Sequence, residues 1–560
     1  MADQDDFPTL LESFYRFEQE RADEVYLTQS QGGQYHDLSW SQAGEQARRL
    51  ATYLQAQGYP EGSRIALYSK NSAYWVIADL AIWMAGHVSV PLYPSLAGNG
   101  VRQILQHSQA VAVVIGQLDI ADAHAGIPEG VHKIATPLCR DAGDSVRWEA
   151  IQANHAPLAQ SPRPDRERCA TIIYTSGTTG EPKGVMHSFR TASVASWQWA
   201  QLSNLKAGDT VFSYLPMSHV GERLAVECGS LHLGLRVFFN ESQDSFIADL
   251  KHSRPDVFFG VPRIWIKLFQ AMRAFMPRPL LELIEQGVSL TPEQQTEARA
   301  AVGLDRARFG VSGAAPVPPS LLTWYNRLGL PMIEVFGMSE NFGYSHLGVV
   351  GVTPPGWIGP ACPDVDVLLA GDGEVLIRSP GNMLGYFNDP QRTAEALDAD
   401  GYLHTGDMGE VDAQGLLRVI GRVRDNFKTS KGKFVAPAPI ENALSASPLV
   451  EHVCVVGSGC TQPLALVILA PQAAGLDQTI RLAQLDNLLA ELNESLEKHE
   501  RLSALLLLDD LWSVDGGELT PTLKVKRNII EQRYGVLIET ASESGRGVLH
   551  ARDIPLPTVA

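Results

Sequence analysis

A loop of glycines and hydroxyl side chains that ends in a lysine is the stretch of this sequence best suited to chemistry. The loop, Thr175-Ser-Gly-Thr-Thr-Gly-Glu-Pro-Lys-Gly184, follows the strand-like segment CATIIY at 169–174. Backbone N–H groups and hydroxyls in such a loop can surround phosphate oxygens, and the lysine adds a point charge. The expected polyphosphate-binding residues are Thr175, Ser176, Gly177, Thr178, Thr179, Gly180 and Lys183.

The same loop differs from the phosphate loop of P-loop NTPases. That motif requires Ser or Thr directly after its lysine, whereas Gly184 follows Lys183 here. A flexible linker is the alternative interpretation of a hydroxyl-rich loop, but an uninterrupted run of these residue types after a buried strand favours a binding loop. The segment VMHSFRTASVASW at 185–197 has a helical pattern, so we expect a helix directly after the loop.

Composition and charge exclude several classes of protein. The net charge of -18 at pH 7 repels nucleic acid backbones and anionic membrane surfaces, so we expect no nucleic-acid partner. The six cysteines form no C-x-x-C pair, which favours a reducing compartment. The sequence lacks a signal peptide and lacks any apolar run of about 18 residues, so we expect a cytoplasmic protein without a membrane span.

The elements that must position the loop follow an alternating pattern. Short β-rich runs alternate with longer helical patterns, which predicts βαβ units and largely parallel sheets, that is, an α/β fold. The β-rich runs lie at 64–68, 111–115, 171–174, 210–214 and 257–260.

The pattern changes between residues 365 and 419 to short strands with Gly-rich turns, which predicts a small β-rich subdomain. We therefore expect a large N-terminal domain over residues 1–420 and a small α+β domain over residues 421–543. Residues 544–560 have little periodicity and are expected to form a flexible tail.

Inside the small domain, residues 453–456 and 464–469 have the pattern of strands. A helix with one apolar stripe is expected after them, because leucines recur at helical spacing. The leucines of this stripe are Leu485, Leu488, Leu492 and Leu496.

The glycine-rich loop resembles the signature of the adenylate-forming superfamily, which includes acyl-CoA synthetases, peptide-synthetase adenylation domains and firefly luciferase. The similar residues are YTSGTTGEPKGV at 174–185, and further motifs occur in the family's order from about Leu38 to Arg527. The resemblance implies a ligase that uses ATP, Mg2+ and coenzyme A to convert a carboxylic acid into a thioester. It also implies a mobile C-terminal domain that rotates between the two half-reactions about a hinge at Arg424.

The segment Gly313-Ala-Ala-Pro316 resembles the part of the family's site that lies against adenine. Small residues there let a flat base approach the backbone, so the resemblance implies that Gly313, Ala314 and Ala315 bind the nucleotide. A simple turn before a helix is the alternative interpretation of the same residues.

A second segment, Glu334-Val-Phe-Gly-Met-Ser-Glu340, resembles the family's magnesium motif. Phe336 and Gly337 would contact the base, Ser339 would donate to a phosphate, and Glu340 would hold Mg2+ through oxygen. The family usually has Tyr and Thr at the positions of Phe336 and Ser339. Both replacements keep the physical role.

The segment His404-Thr-Gly-Asp407 resembles the family's ribose-binding strand end. The resemblance implies that Asp407 accepts hydrogen bonds from the sugar hydroxyls and that Arg422 makes a second contact to the ribose or a phosphate. It further implies that Lys428, with Thr429 to Gly432, approaches the thiol in the second half-reaction.

The segment Glu518-Leu-Thr-Pro-Thr-Leu-Lys-Val-Lys-Arg527 resembles the family's last motif, whose lysine reaches the α-phosphate and the substrate carboxylate. Lys524 is the expected catalytic lysine because Lys524-Val-Lys-Arg527 matches the usual Lys-Ile-x-Arg. Lys526 remains a rival, because the usual motif has a glycine before its lysine.

The acid is suggested by residues that resemble the long-chain fatty acid branch. His219 resembles a catalytic position beside the acyl carboxylate, although a core or capping histidine is the alternative. Glu222, Arg223 and the segment 261–267 favour a fatty acid. The stretch between Phe269 and Gly310 is shorter than in the larger long-chain enzymes, so medium-chain or aromatic acids stay open.

Three other functions share much of this pattern. An enzyme that loads a carrier-protein phosphopantetheine has every ATP motif in common with a coenzyme A ligase. A luciferase-like oxidase and a non-catalytic nucleotide-binding homologue are the remaining alternatives. A fatty substrate would allow peripheral membrane contact, although no basic amphipathic helix indicates it, and the oligomeric state stays open.

Overall fold

The computed structural model of the chain describes residues 7–118, 120, 123–141, 143–176, 182–513, 516–520, 524–544 and 547–555. The chain divides into two compact units. Unit 1 spans Met1–Ala315, Pro319–Val367 and Ile377–His404, and unit 2 spans Pro316–Pro318, Leu368–Leu376 and Thr405–Ala560. The domain boundary expected near residue 420 stays a prediction.

The first sheet of unit 1 has eight strands. Its central strands run parallel, and antiparallel strands form both edges. Parallel neighbours need crossover connections, which the intervening helices supply, so the predicted α/β fold is confirmed. The strands lie in the order His346–Leu347, Met332–Phe336, Phe309–Ser312, Val257–Gly260, Thr210–Ser213, Arg236–Phe239, Val25–Gln31 and Gln34–Ser39.

The second sheet of unit 1 also has eight strands, and all of them run in one direction except Pro182–Ser188, which pairs antiparallel with both of its neighbours near one edge. The strands lie in the order Gly385–Tyr386, Pro182–Ser188, Cys169–Ser176, Val88–Leu92, Arg64–Tyr68, Ala112–Ile115, His132–Ala135 and Val146–Arg147.

The helix expected directly after the glycine-rich loop begins later than predicted. Residues Pro182–Ser188 form a strand that returns antiparallel to Cys169–Ser176, and the helix is Phe189–Leu202. Ser188 begins this helix, because its hydroxyl accepts a hydrogen bond from the backbone N–H of Thr191 at 3.1 Å. Pairing with the preceding strand therefore overrides the local helical pattern.

Helices cover the two sheets and bury large aromatic side chains, including Trp40, Trp75 and Trp83. The apolar helix Ala73–Met84 is buried as its composition predicts, and its Asp79 pairs with Arg223 at 2.5 Å. The α-helices of unit 1 are Leu10–Glu20, Trp40–Ala56, Ala73–Met84, Gly98–Ser108, Trp148–Asn154, Phe189–Leu202, Val220–Glu222, Gly229–Leu233, Phe246–Ser253, Pro262–Phe275, Arg278–Glu285, Pro292–Ala300, Pro319–Arg327 and Pro390–Ala396.

The β-rich region expected between residues 365 and 419 is present as short strands joined by tight turns. The strands are Gly359–Pro360, Asp366–Leu369, Glu374–Arg378, Leu403–Val411 and Leu416–Arg422. The last two of these strands form an antiparallel hairpin, which pairs Asp407 with Arg422.

The rest of unit 2 is an α+β arrangement around one sheet. After the short pair Phe427–Lys428 and Phe434–Val435, the sheet has the order Val450–Val456, Leu464–Leu469, Ala504–Leu508 and Gly547–His550. Its helices are Pro437–Ser445, Pro471–Ala474, Gln478–Ser495 and Arg527–Ser544. Within the described ranges, no helix of the protein is long and apolar enough to cross a membrane.

Two predictions about unit 2 need correction. The flexible tail is wrong for residues 547–555, because Gly547–His550 adds a parallel edge strand beside Ala504–Leu508 and Ile554 is buried. A strand of four residues is too short to show periodicity in the sequence. The leucine stripe is present, but the helix Gln478–Ser495 ends before Leu496, which packs against the same core from outside the helix.

Candidate active site

The glycine-rich loop connects two paired strands of unit 1. Thr175 lies opposite Lys183 in the antiparallel register, so the described ends of the loop are held side by side. The backbone of Ser176 ends the first strand. The predicted residues Gly177, Thr178, Thr179 and Gly180 lie outside the described residues.

Lys183 faces an aromatic ring and a cavity. Its Nζ atom lies 5.4 Å from the centroid of the Tyr386 ring, within the range of a cation–π interaction. No ion pair to Lys183 is present among the described residues, so no carboxylate there neutralises its charge. A cavity of about 440 Å3 opens beside it, lined by Gln103, Gln106, His107, Pro182, Lys183, Gly184, Tyr386, Phe387, Asn388, Asp389 and Arg392.

The predicted adenine segments end two neighbouring strands. Phe309–Ser312 and Met332–Phe336 are parallel, with Ser312 opposite Glu334, so Gly313 and Phe336 emerge at the same edge of the sheet. This edge is where ligands bind in open α/β sheets. Ala314 has φ of 69°, a conformation that is strained for a residue with a side chain.

Gly337 lies where the backbone of a neighbouring turn approaches closely. A Cβ atom at this position would lie 2.3 Å from the carbonyl oxygen of Gly343, so only glycine fits. The short 3-10 helix Ser339–Asn341 follows directly. This close approach fixes the start of the segment that carries Ser339 and Glu340.

Glu340 is buried, with 9% of its surface exposed. Its Oε1 atom accepts a hydrogen bond from the hydroxyl of Tyr386 at 2.8 Å, and its carbonyl accepts from the backbone N–H of Met383 at 2.8 Å. Burial and the neighbouring Glu340 carboxylate both raise the pKa of the Tyr386 phenol, so this hydroxyl remains a donor at neutral pH. The phenol therefore holds one carboxylate oxygen without neutralising its charge.

A lone carboxylate suits magnesium at a nucleotide site. Over the part of the chain that is described, no three His, Cys, Asp or Glu side chains come together as a metal site. Mg2+ is usually held by one or two carboxylates together with substrate phosphates and water. Glu340 therefore fits that ion.

His187 supports the same segment from the returning strand. Its Nε2 donates to the carbonyl oxygen of Ser339 at 2.7 Å. Burial lowers the pKa of His187 to about 4, so the ring is neutral at physiological pH. Sequence reasoning missed both His187 and Tyr386, because nothing in either local sequence indicates a contact with residues 339–340.

His219 begins the short helix Val220–Glu222, and its Nδ1 accepts a hydrogen bond from the backbone N–H of Gly221 at 3.1 Å. The capping geometry raised as the alternative in the sequence is therefore present. A catalytic His219 would have to act through Nε2.

The next residues, Glu222 and Arg223, are both buried. The Oε1 atom of Glu222 accepts from the Ser213 hydroxyl at 2.7 Å and from the Tyr214 backbone N–H at 3.1 Å. Burial raises the pKa of Glu222 to about 8, so this carboxyl is mainly protonated at neutral pH. Glu222 thus anchors the strand end that precedes His219.

Unit 2 brings Asp407 and Arg422 together. The Oδ1 atom of Asp407 lies 2.8 Å from Nε of Arg422, and 7% of the Asp407 surface is exposed against half of the Arg422 side chain. Their strands pair directly, which explains why residues 15 positions apart meet. The pair is suited to hydrogen-bonding a sugar edge.

Lys524 belongs to the same part of unit 2. Its backbone N–H donates to the Thr520 hydroxyl at 3.0 Å, and the Thr520 N–H donates to its carbonyl at 2.8 Å. The Lys524 residue as a whole is exposed. The pKa of its ammonium is lowered, first because nearby protein atoms displace water from it and second because of the Arg422 cation, while Asp407 acts in the opposite direction. The Lys524 ammonium therefore interacts electrostatically with both members of the predicted ribose pair.

Lys428 lies in the short strand Phe427–Lys428, with its Nζ 4.6 Å from the centroid of the Phe434 ring. The turn after it depends on Gly432, whose φ is 73° and whose N–H donates to the carbonyl of Thr429 at 2.9 Å. Lys428 is exposed, as a residue that meets an incoming thiol substrate must be.

Known proteins share this sequence pattern and this fold. Residues 14–387 match the family model described as AMP-binding enzyme, and residues 425–545 match the model described as AMP-binding enzyme C-terminal domain.

Similar proteins include the long-chain-fatty-acid–CoA ligase FadD15 of Mycobacterium bovis, which is 29% identical over 93% of this chain and 95% of that protein. The long-chain-fatty-acid–CoA ligase ACSBG2 of Xenopus laevis is 27% identical over 91% of this chain and 80% of that protein. The crystal structure of the anthranilate CoA ligase AuaEII in complex with anthranoyl-AMP has a TM-score of 0.77 at 20% identity, covering 94% of this chain and 97% of that one. Since the first family model alone matches more than half of the residues, this chain belongs to the AMP-binding enzyme family.

Proposed function

We propose that this protein is an ATP-dependent acid:coenzyme A ligase that acts on a medium- or long-chain fatty acid. The observation that carries the proposal is the buried Glu340 carboxyl group, which accepts a hydrogen bond at 2.8 Å from a neutral phenol rather than from a cation and so suits a metal ligand. The relatives named as long-chain-fatty-acid–CoA ligases support the choice of acid and of coenzyme A.

In the first half-reaction an oxygen of the substrate carboxylate bonds to the α-phosphorus, and the bond from that phosphorus to pyrophosphate breaks. Two anions must meet, so positioning and charge neutralisation supply most of the catalysis. Thr175 and Lys183, with the intervening loop, would hold the outer phosphates, and Lys524 would neutralise charge at the α-phosphate. A Mg2+ ion on Glu340 would supply further positive charge to the phosphate oxygens.

Residues of several motifs would hold the nucleoside. Gly313, Ala314 and Ala315, with Phe336 and Gly337, would contact the adenine, and Ser339 would donate to a phosphate. The Asp407 carboxylate would accept from the ribose hydroxyls.

In the second half-reaction the thiolate of coenzyme A attacks the acyl carbon, a thioester forms and AMP leaves. We propose that Lys428 and the turn at Gly432 take part here, with Arg424 as the hinge between the two arrangements. His219 would contribute through Nε2, because Nδ1 is occupied by the cap.

The same proposal includes a cytoplasmic location, which the six free cysteines support. It also includes contact with a membrane surface that supplies the fatty acid.

The test is an assay of the purified protein with Mg-ATP and acids from acetate to oleate, and with benzoate. Pyrophosphate, AMP and acyl-CoA are measured with and without coenzyme A. Equal amounts of AMP, pyrophosphate and acyl-CoA, formed from a medium- or long-chain acid, would support the proposal. Acyl-adenylate without acyl-CoA would overturn the choice of acceptor in favour of a carrier protein, and no turnover of any acid would overturn the ligase assignment.

A further inference from the structure

The segment around Tyr386 is bonded to two separate parts of the candidate site in unit 1. The strand Gly385–Tyr386 pairs with the returning strand of the glycine-rich loop, with Tyr386 opposite Val185. The backbone N–H of Met383 donates to the carbonyl of Glu340 at 2.8 Å. One short segment therefore contacts both the strand that carries Lys183 and the turn that carries Glu340.

The side chain of Tyr386 repeats this double contact. Its hydroxyl donates to Oε1 of Glu340 at 2.8 Å, and its ring centroid lies 5.4 Å from Nζ of Lys183. The ring is buried, and the Tyr386 backbone N–H donates to the Thr393 hydroxyl at 2.9 Å, which fixes the residue between its two neighbours.

We propose that Tyr386 is a positioning residue that couples the metal-binding carboxylate Glu340 to the phosphate-binding lysine Lys183. The proposal rests on the proposed function in one respect: the two residues are taken to meet the metal and the phosphates of one nucleotide.

A tyrosine meets both requirements at once. Its hydroxyl orients one oxygen of Glu340 and leaves the negative charge available for a cation, whereas an arginine or lysine in its place would neutralise that charge. Its ring holds the Lys183 ammonium by an electrostatic attraction weaker than an ion pair. A carboxylate beside Lys183 would instead compete with the phosphate for the same ammonium.

Two substitutions separate the two contacts. Tyr386→Phe removes the hydrogen bond to Glu340 and keeps the ring over Lys183, whereas Tyr386→Leu removes both. The probe is α,β-methylene-ATP, which cannot transfer its adenylyl group because a CH2 group replaces the bridging oxygen, and its Kd is measured by calorimetry with Mg2+ and with EDTA. The Kd in EDTA divided by the Kd in Mg2+ is the Mg2+ enhancement of binding. It reports the coupling between metal and nucleotide without any turnover.

For Tyr386→Phe we expect a Kd in EDTA within about twofold of wild type, because the ring remains over Lys183. We expect the Mg2+ enhancement to fall about tenfold, because a hydrogen bond to a charged group is lost. Tyr386→Leu should lose the enhancement and also bind more weakly in EDTA, by about threefold or more.

Tyr15→Phe is the matched control, because Tyr15 is buried to a similar degree, its hydroxyl donates to the carbonyl of Pro162 at 3.1 Å, and neither residue lines the cavity beside Lys183. It should leave both Kd values unchanged.

A wild-type Mg2+ enhancement in Tyr386→Phe would overturn the proposal. An equal loss of affinity in EDTA and in Mg2+ for both Tyr386 variants would also overturn it. The titration contains no acid and no coenzyme A, so failure of the acyl-CoA assay would overturn the proposed function and leave this result intact.

Discussion

Glu340 in unit 1 and Asp407 in unit 2 are carboxylates of similar burial with opposite surroundings. Glu340 is 9% exposed and accepts from a neutral tyrosine, whereas Asp407 is 7% exposed and lies 2.8 Å from the Arg422 guanidinium. The first accepts a hydrogen bond from a neutral group, and the second lies beside a cation that offsets its charge. A carboxylate of the first kind suits a metal ligand, and one of the second kind suits a hydrogen-bond acceptor for sugar hydroxyls.

The difference shows that residue type alone does not assign a role. Burial makes an unpaired charge costly, so a buried carboxyl group without a cationic partner is expected to take up either a cation or a proton. Substitutions on each side should therefore change different kinetic parameters.

The largest effect is expected for Lys524→Ala, a substitution in unit 2, which also contains Asp407. Loss of a charge that stabilises the transition state should slow adenylation about 10²–10³-fold. Thioester formation from supplied acyl-adenylate should stay within about threefold of wild type, since the proposed rotation about Arg424 would remove Lys524 from the α-phosphate before that step. Acid-dependent pyrophosphate release and single-turnover thioester formation measure the two steps.

Lys526→Ala is the matched control for this prediction, because Lys526 lies two positions away in the same hairpin. It should slow adenylation far less than Lys524→Ala. A larger loss in Lys526→Ala would assign the catalytic role to Lys526, and equal loss of both half-reactions in Lys524→Ala would contradict the separation of steps.

The next effect is expected for Glu340→Gln, which keeps the shape of the side chain and removes its charge. Loss of a metal ligand should lower adenylation about 100-fold at limiting Mg2+. The loss should shrink as Mg2+ is raised, because higher concentration compensates for weaker binding. A Mg2+ titration at saturating ATP measures it, and a loss that is the same at every Mg2+ concentration would contradict a metal-binding role.

A smaller effect, with a different signature, is expected for Asp407→Asn. The amide still accepts one hydrogen bond but forms a weaker one, so the KM for ATP should rise about tenfold. The Mg2+ dependence should not change, because Asp407 is proposed to contact the ribose and not the metal. Initial rates over an ATP and Mg2+ grid measure both, and a shifted Mg2+ requirement would break the contrast with Glu340.

Sequence reasoning predicted the α/β fold because hydrophobic periodicity and alternation are local signals. It named Glu340, Asp407 and Lys524 because each lies in a recognisable motif. It could not predict Tyr386, which meets Glu340 from 46 positions away through a strand of two residues. Such contacts depend on strand register, which tertiary pairing decides.

The same limit explains the wrong helix start after the glycine-rich loop. Residues 185–188 have a pattern compatible with a helix, and their pairing with Cys169–Ser176 makes them part of the strand Pro182–Ser188 instead. The edge strand Gly547–His550 was missed for the same reason. Elements whose stability comes from a partner strand are the ones that local pattern misjudges.

The smallest effect concerns a third buried carboxyl, Glu222, which anchors a strand end and is not assigned to any substrate. Burial raises its pKa from 4.5 to about 8, so the folded protein binds a proton that the unfolded chain releases between these values. Stability should therefore be highest below about pH 4.5 for this group and should fall as the pH rises toward 8. Over one unit, from pH 6 to pH 7, this loss should be about 1 kcal/mol.

Glu222→Gln mimics the protonated carboxyl and cannot titrate, so the variant should lack this loss. Urea unfolding of wild type and variant at pH 6, 7 and 8 measures it as a stability difference that shifts in favour of the variant with rising pH. A difference that is constant across the three pH values would show that Glu222 is ionised in the folded protein. In that case its hydrogen bonds to Ser213 and Tyr214 outweigh burial, and neutral donors alone would hold a charged carboxylate in this part of unit 1.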